Sequence, residues 1–176
     1  MGASETICRP KKNYETTLGK TSYSVDKNSY LLDSGIQAYD FDKLCNSLKS
    51  MRGKSPLSSC DALVEKDDSV YFIEFKNQPN KNINNAEIQK KAFDSVTQLL
   101  ITWARDTSQQ ALSKKLVLFV VYHNPADDES FEKIRNKTFS FTESDQKEPL
   151  LFGINDDLKR LYREVHTIDI SDFQEK

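Results

Sequence analysis

The order of strand and helix patterns predicts an α/β fold, a single domain with a central mixed β-sheet flanked by helices. Three observations lead there. Two short apolar runs, Cys60–Lys66 and Val70–Lys76, flank the charged turn Asp67–Asp68–Ser69, which is the pattern of a β-hairpin. A long amphipathic helix follows from Ala86 to Ala104. Next comes Leu116–Tyr122, a continuous apolar run of the kind buried on both faces of a sheet. A helix between the hairpin and that strand reads as a right-handed crossover.

The remaining elements fit around this frame. Residues 1–30 are polar, with scattered Tyr and Lys, and are expected to be loosely ordered. From Asp40 to Met51 the apolar residues Phe41, Leu44, Cys45, Leu48 and Met51 recur at helical spacing, with Asp40 as N-cap and Gly53 as stop. In the long helix Ile88, Ala92, Phe93, Val96, Leu99, Leu100 and Trp103 make the expected buried face, and Lys90, Lys91, Asp94 and Gln98 the solvent side. A helix around Phe131, another at Asp156–Arg163 and a last strand, Glu164–Ile170, complete the reading.

A length of 176 residues fits one domain, 1–176. The formal net charge of -2 provides no global field for nucleic acid, so any such contact would need a local basic patch. Three cysteines, Cys8, Cys45 and Cys60, without a C-x-x-C, suit a reducing interior better than a disulfide scaffold. No apolar run approaches the roughly 18–20 residues that span a bilayer. The first residues lack the apolar core of a secretory signal, and a cytoplasmic protein with no membrane partner is expected. The Met1-Gly2 start with Thr6 formally fits an N-myristoylation pattern, one that arises often by chance.

The hairpin carries the chemistry. With Asp67-Asp68 as a two-residue turn, Val64 faces Tyr71, Leu63 faces Phe72 and Asp61 faces Glu74. Strand alternation puts Glu74 and Lys76 on the same face. Two carboxylates so close repel each other unless a cation joins them, and a structural reason to keep them together is hard to find. Magnesium takes oxygen ligands and commonly uses one or two carboxylates besides water and phosphate oxygens. Such an ion lowers the pKa of a bound water and polarises a phosphoryl oxygen. Lys76 could hold the attacking water or offset charge on the phosphate. The chemistry fits phosphodiester hydrolysis.

Asp61, twelve intervening residues and then Glu74-Phe75-Lys76 on an apolar strand resemble the PD-(D/E)XK nuclease superfamily, also called restriction-endonuclease-like. The resemblance covers the hairpin, the helix after it and the Leu116 strand. It implies that Asp61 and Glu74 ligate Mg or Mn, that the Phe75 carbonyl adds a ligand, and that Lys76 is the catalytic lysine. Gln78 resembles a polar residue often found just after that lysine, and Lys90 and Lys91 would line a phosphate groove. The implied partner is nucleic acid, DNA by expectation. The second reading is a non-catalytic binding protein on the same fold, such as an immunity, antitoxin-like or nucleic-acid-binding partner. Cys60 stands where the family's name has proline. Only Asp33, Asp40 and Asp42 could supply the acidic residue that many members add from the first helix.

Context separates this motif from its lookalikes. The bare (D/E)-x-K pattern also occurs at Asp145–Lys147, in a polar stretch, and at Asp157–Lys159, in an expected helix. His123 and His166 read as strand-end residues rather than zinc ligands. Asp127–Glu129 reads as a helix N-terminus favoured by the dipole. Five scattered glycines form no phosphate loop.

Overall fold

The computed structural model describes residues 12–52, 57–123, 150–170 and 172–173. Gly53, the expected helix around Phe131, Asp127–Glu129, Asp145–Lys147 and Cys8 lie outside the described residues. So do the side chains of Leu48, Met51 and Trp103, although those positions are helical.

Six strands form one mixed sheet in the order β1-β4-β5-β6-β7-β8. They are β1 (Glu15–Thr17), β4 (Gln37–Asp40), β5 (Ala62–Lys66), β6 (Ser69–Lys76), β7 (Lys115–Tyr122) and β8 (Glu164–Asp169). Pairing is antiparallel from β1 to β6 and parallel from β6 to β8. A second, two-stranded sheet pairs β2 (Tyr23–Ser24) with β3 (Ser29–Tyr30). Among the described residues the α-helices are α1 (Leu18–Thr21), α2 (Phe41–Arg52), α3 (Asn85–Ser113) and α4 (Asp156–Leu161).

The hairpin has the expected register, with Leu63 opposite Phe72 and Val64 opposite Tyr71. Asp67 sits at φ 53, in the left-handed region that tight hairpin turns demand and that Asp tolerates. Asp40 caps α2, its Oδ1 accepting the Lys43 N–H at 2.9 Å. Asn84 caps α3 through the Ala86 and Glu87 amides.

Strand alternation splits the core in two. Leu63, Val70, Phe72, Leu118 and Val120 face α2, α3 and α4. Ala62, Val64, Ile73, Phe75, Val117, Phe119 and Val121 face the other way, covered by Leu18, Leu31, Leu32, Ile170 and Phe173. Phe72 makes edge-to-face contacts with Phe41 (5.7 Å) and Tyr162 (5.6 Å). Such pairs add about 0.5–1.5 kcal/mol each beyond area burial. β7 is buried from Val117 to Val121, as a strand covered on both faces must be.

Four expectations need correction. Residues 12–30 contain five short elements, and Leu18 is fully buried under the sheet, so this part of the polar N-terminal segment is built into the fold. α1 packs so closely that a Cβ on Gly19 would lie 2.8 Å from the Ser34 backbone. The long helix runs to Ser113. Its polar side is not all solvent: Gln98 is buried and Lys91 and Asp94 partly so, whereas Phe93, expected in the core, is 38% exposed. Finally, His166 lies inside β8, stacked on Phe119 at 4.7 Å, and only His123 directly follows a strand.

Candidate active site

The open end of the β5–β6 hairpin abuts the first turns of α3. Ladder pairing between β5 and β6 ends at Ala62–Ile73, so Asp61 lies just outside the strand. Its carboxylate nevertheless crosses to β6, where Oδ2 accepts the Phe75 N–H at 2.7 Å. The segment before it is tied to both neighbouring helices. The Ser58 N–H donates to Asp94 Oδ2 (2.7 Å) and the Cys60 N–H to Ser95 Oγ (2.8 Å), both on α3. Ser59 Oγ donates to Asp42 Oδ1 on α2 (2.7 Å), and the Asp61 carbonyl accepts the Phe41 N–H (3.1 Å). Asp61 is therefore held by four anchors over four residues.

Alternation turns Glu74 and Lys76 towards α3. Glu87, Lys91, Asp94 and Gln98 follow one another at i, i+4, i+7 and i+11, a single line along the helix surface. Lys91 Nζ lies 2.7 Å from Glu74 Oε1 and 3.6 Å from Asp61 Oδ1. Lys76 Nζ lies 3.1 Å from the same Glu74 oxygen and donates to Glu87 Oε1 at 2.6 Å. Acids and lysines thus alternate along a chain, Lys91–Glu74–Lys76–Glu87, with Asp61 beside Lys91. Asp61, Phe75, Lys76, Gln78 and Glu87 line a cleft of about 750 Å³, walled on one side by residues of the β2–β3 hairpin. Glu74 is buried behind them, 1% exposed.

Burial dominates the electrostatics. It pushes the Glu74 carboxyl up to about 7, Asp61 adding to the rise while Lys91 and Lys76 oppose it. Asp61 is raised for the same first reason, against Lys91 and the Phe75 N–H. For Lys91 and Lys76 burial acts downwards but the carboxylates outweigh it, so both ammonium groups are held above their ordinary value. The hydrogen bond from Lys76 lowers Glu87. Burial and Glu74 push the Cys60 thiol far up, leaving it inert as a nucleophile.

Asp61, Glu74, Lys76 and Lys91 come together at this corner, and Gln78 reaches the cleft with its Nε2 donating to the Asn82 carbonyl (3.3 Å). Lys90 does not join them. Adjacent helix residues diverge by about 100°, and Lys90 binds Ser58 Oγ (2.8 Å) and Asp94 Oδ2 (2.6 Å) instead. Neither Lys90 nor Lys91 lines the cleft. The carboxylates also have an internal partner in Lys91, the structural reason for their proximity that the sequence does not supply. Of the first-helix acids, Asp40 caps α2 and Asp42 accepts from Ser59 and Asn46. Asp33 is exposed. Glu87 escaped the sequence reading. Its signal was the i, i+4 spacing to Lys91, masked by its ordinary place three residues after the Asn84 cap.

Glu74 Oε2 is buried without a hydrogen-bond partner, an acceptor left over once Oε1 has taken both lysines. Phe75 lies beyond the end of the β5 ladder. Among the described residues no group of three or more His, Cys, Asp or Glu side chains could hold a metal, so an ion here would rely on two carboxylates, a main-chain carbonyl and water. A scan against protein-family models and searches of curated proteins and of solved structures found no match to this chain.

Proposed function

We propose that the protein is a metal-dependent phosphodiester hydrolase acting on nucleic acid, with DNA as its substrate. One observation carries this reading: Asp61 and Glu74 meet at a sheet end beside a cleft, with Lys76 between Glu74 and the opening. Asp61, Glu74 and the Phe75 carbonyl would hold Mg or Mn. That ion, when bound, would supply an activated water and offset charge on the phosphate. Lys76 would orient the water or stabilise charge on the phosphate, and Glu87, 2.6 Å away, would steer its ammonium to the cleft. Gln78 and Asn82 would contact the substrate from the cleft wall. The low net charge leaves substrate attraction to this local site.

Lys91 favours the second reading, a non-catalytic nuclease-fold binding protein, because an internal ammonium already offsets part of the carboxylate charge without metal. Cleavage assays with Mg and Mn on single-stranded, double-stranded and branched DNA and on RNA separate the two. For a nuclease, Lys76→Ala should retain manganese binding yet cut cleavage by about two to three orders of magnitude. Asp61→Asn should lose manganese binding, read by calorimetry. Equal trace activity in wild type and Lys76→Ala on every substrate would leave the binding protein standing.

A further inference from the structure

We propose that Lys91 is the counter-ion of the metal-free site and that its ammonium competes with a divalent cation for the Glu74–Asp61 carboxylate pair. The inference rests on the metal-binding reading above and adds a regulation of it. Glu74 Oε1 receives two ammonium groups, Lys91 at 2.7 Å and Lys76 at 3.1 Å, while Oε2 receives none. Lys76 has a further partner in Glu87, whereas Lys91 spans the two carboxylates and is the cation closest to both. Its neighbour Lys90 shows what a lysine on the outer side of the same helix does: it stays 52% exposed and pairs with Asp94. Lys91 is 21% exposed and turned inward.

An ammonium and a dication cannot share the same carboxylate oxygens without strong like-charge repulsion. Metal loading would therefore drive the Lys91 ammonium outward. Its flexible four-carbon stem gives it somewhere to go, since Glu87 lies one helical turn away on the cleft rim. Fully ionised, three carboxylates (Asp61, Glu74, Glu87) against two lysines (Lys76, Lys91) leave one net negative charge. A dication adds two positive charges to these five groups and moves a lysine towards the opening. Metal binding thereby makes the site more favourable to a phosphodiester, so metal precedes substrate.

The test measures manganese binding to the full chain by calorimetry and electron paramagnetic resonance. Lys91→Met and Lys91→Gln should each tighten binding on the order of tenfold, and Lys90→Met should not. Unchanged or weaker binding in folded Lys91 variants overturns the competition while leaving the metal site intact. No binding by any protein, wild type included, removes the metal-binding reading and this inference together. Wild type provides a second measurement that needs no variant. Magnesium should speed acylation of the Lys91 amine relative to Lys90, read by mass spectrometry, and an unchanged ratio overturns the proposal.

Discussion

The two ends of the β5–β6 hairpin use the same residue types to opposite effect. At the turn, Glu65 pairs with Lys114, and Asp68 with Lys115 at 3.4 Å. Glu65 and Asp68 thus each have their own lysine, and Asp68 and Lys115 stay open to solvent. Lys115 lowers the Asp68 carboxyl, the usual result of a nearby cation. At the open end, Asp61 and Glu74 share Lys91, and both carboxyls are raised although two lysines stand beside them. The difference is water. An exposed acid feels mainly its partner, whereas a buried one feels first the loss of hydration, which one or two shared ammonium groups only partly restore.

The largest way to test this contrast is Glu74→Gln in metal-free protein. A carboxyl whose folded pKa is raised from 4.5 to about 7 binds more protons folded than unfolded across that window. Its contribution to stability therefore falls as pH rises from about 4.5 to 7. Wild type should lose on the order of 3 kcal/mol more than Glu74→Gln between about pH 4 and pH 8, measured by urea unfolding at each pH. Parallel pH profiles would mean that Lys91 and Lys76 fully restore what burial removes.

Ser95→Ala asks whether the anchoring of Asp61 matters apart from charge. It strands the buried Cys60 N–H, and a loss of about 1–3 kcal/mol in urea unfolding is expected. A neutral result would show that water replaces the hydroxyl and that the segment needs no such tie. The smallest effect is expected at the turn. Asp68→Asn should leave the melting temperature at neutral pH within error, more so in high salt, because the pair is exposed and screened. Its lowered carboxyl gives the opposite pH sign: stability is present above the ordinary value of 3.8 and lost as pH falls. A large drop there would erase the distinction between the two ends.

Much of the frame is legible in the chain. The hairpin register follows from a two-residue turn and strict alternation, and β7 from an unbroken apolar run. β1 and β4 are not legible, because three- and four-residue strands without apolar runs become strands only by pairing with β5 and with each other. Glu87 and the inward turn of Lys91 are missed for a related reason. A helical wheel separates apolar from polar residues, but a polar residue at the edge of the buried stripe faces solvent or protein according to what lies beneath it.

The sequence by itself determined which face of β6 carries Glu74 and Lys76 and that a long helix leads to a buried parallel strand; Asp61, expected opposite Glu74, lies one residue beyond the ladder. The first two are local consequences of period-two and helical spacing. Only the tertiary structure decided that α3 lies with the line Glu87–Lys91–Asp94–Gln98 against the hairpin's open end, that Lys91 turns inward while Lys90 turns out, and that Glu74 is dehydrated. Those outcomes depend on how one element is rotated over another, and the packing of Ile88, Ala92, Val96 and Leu99 against the sheet sets that rotation.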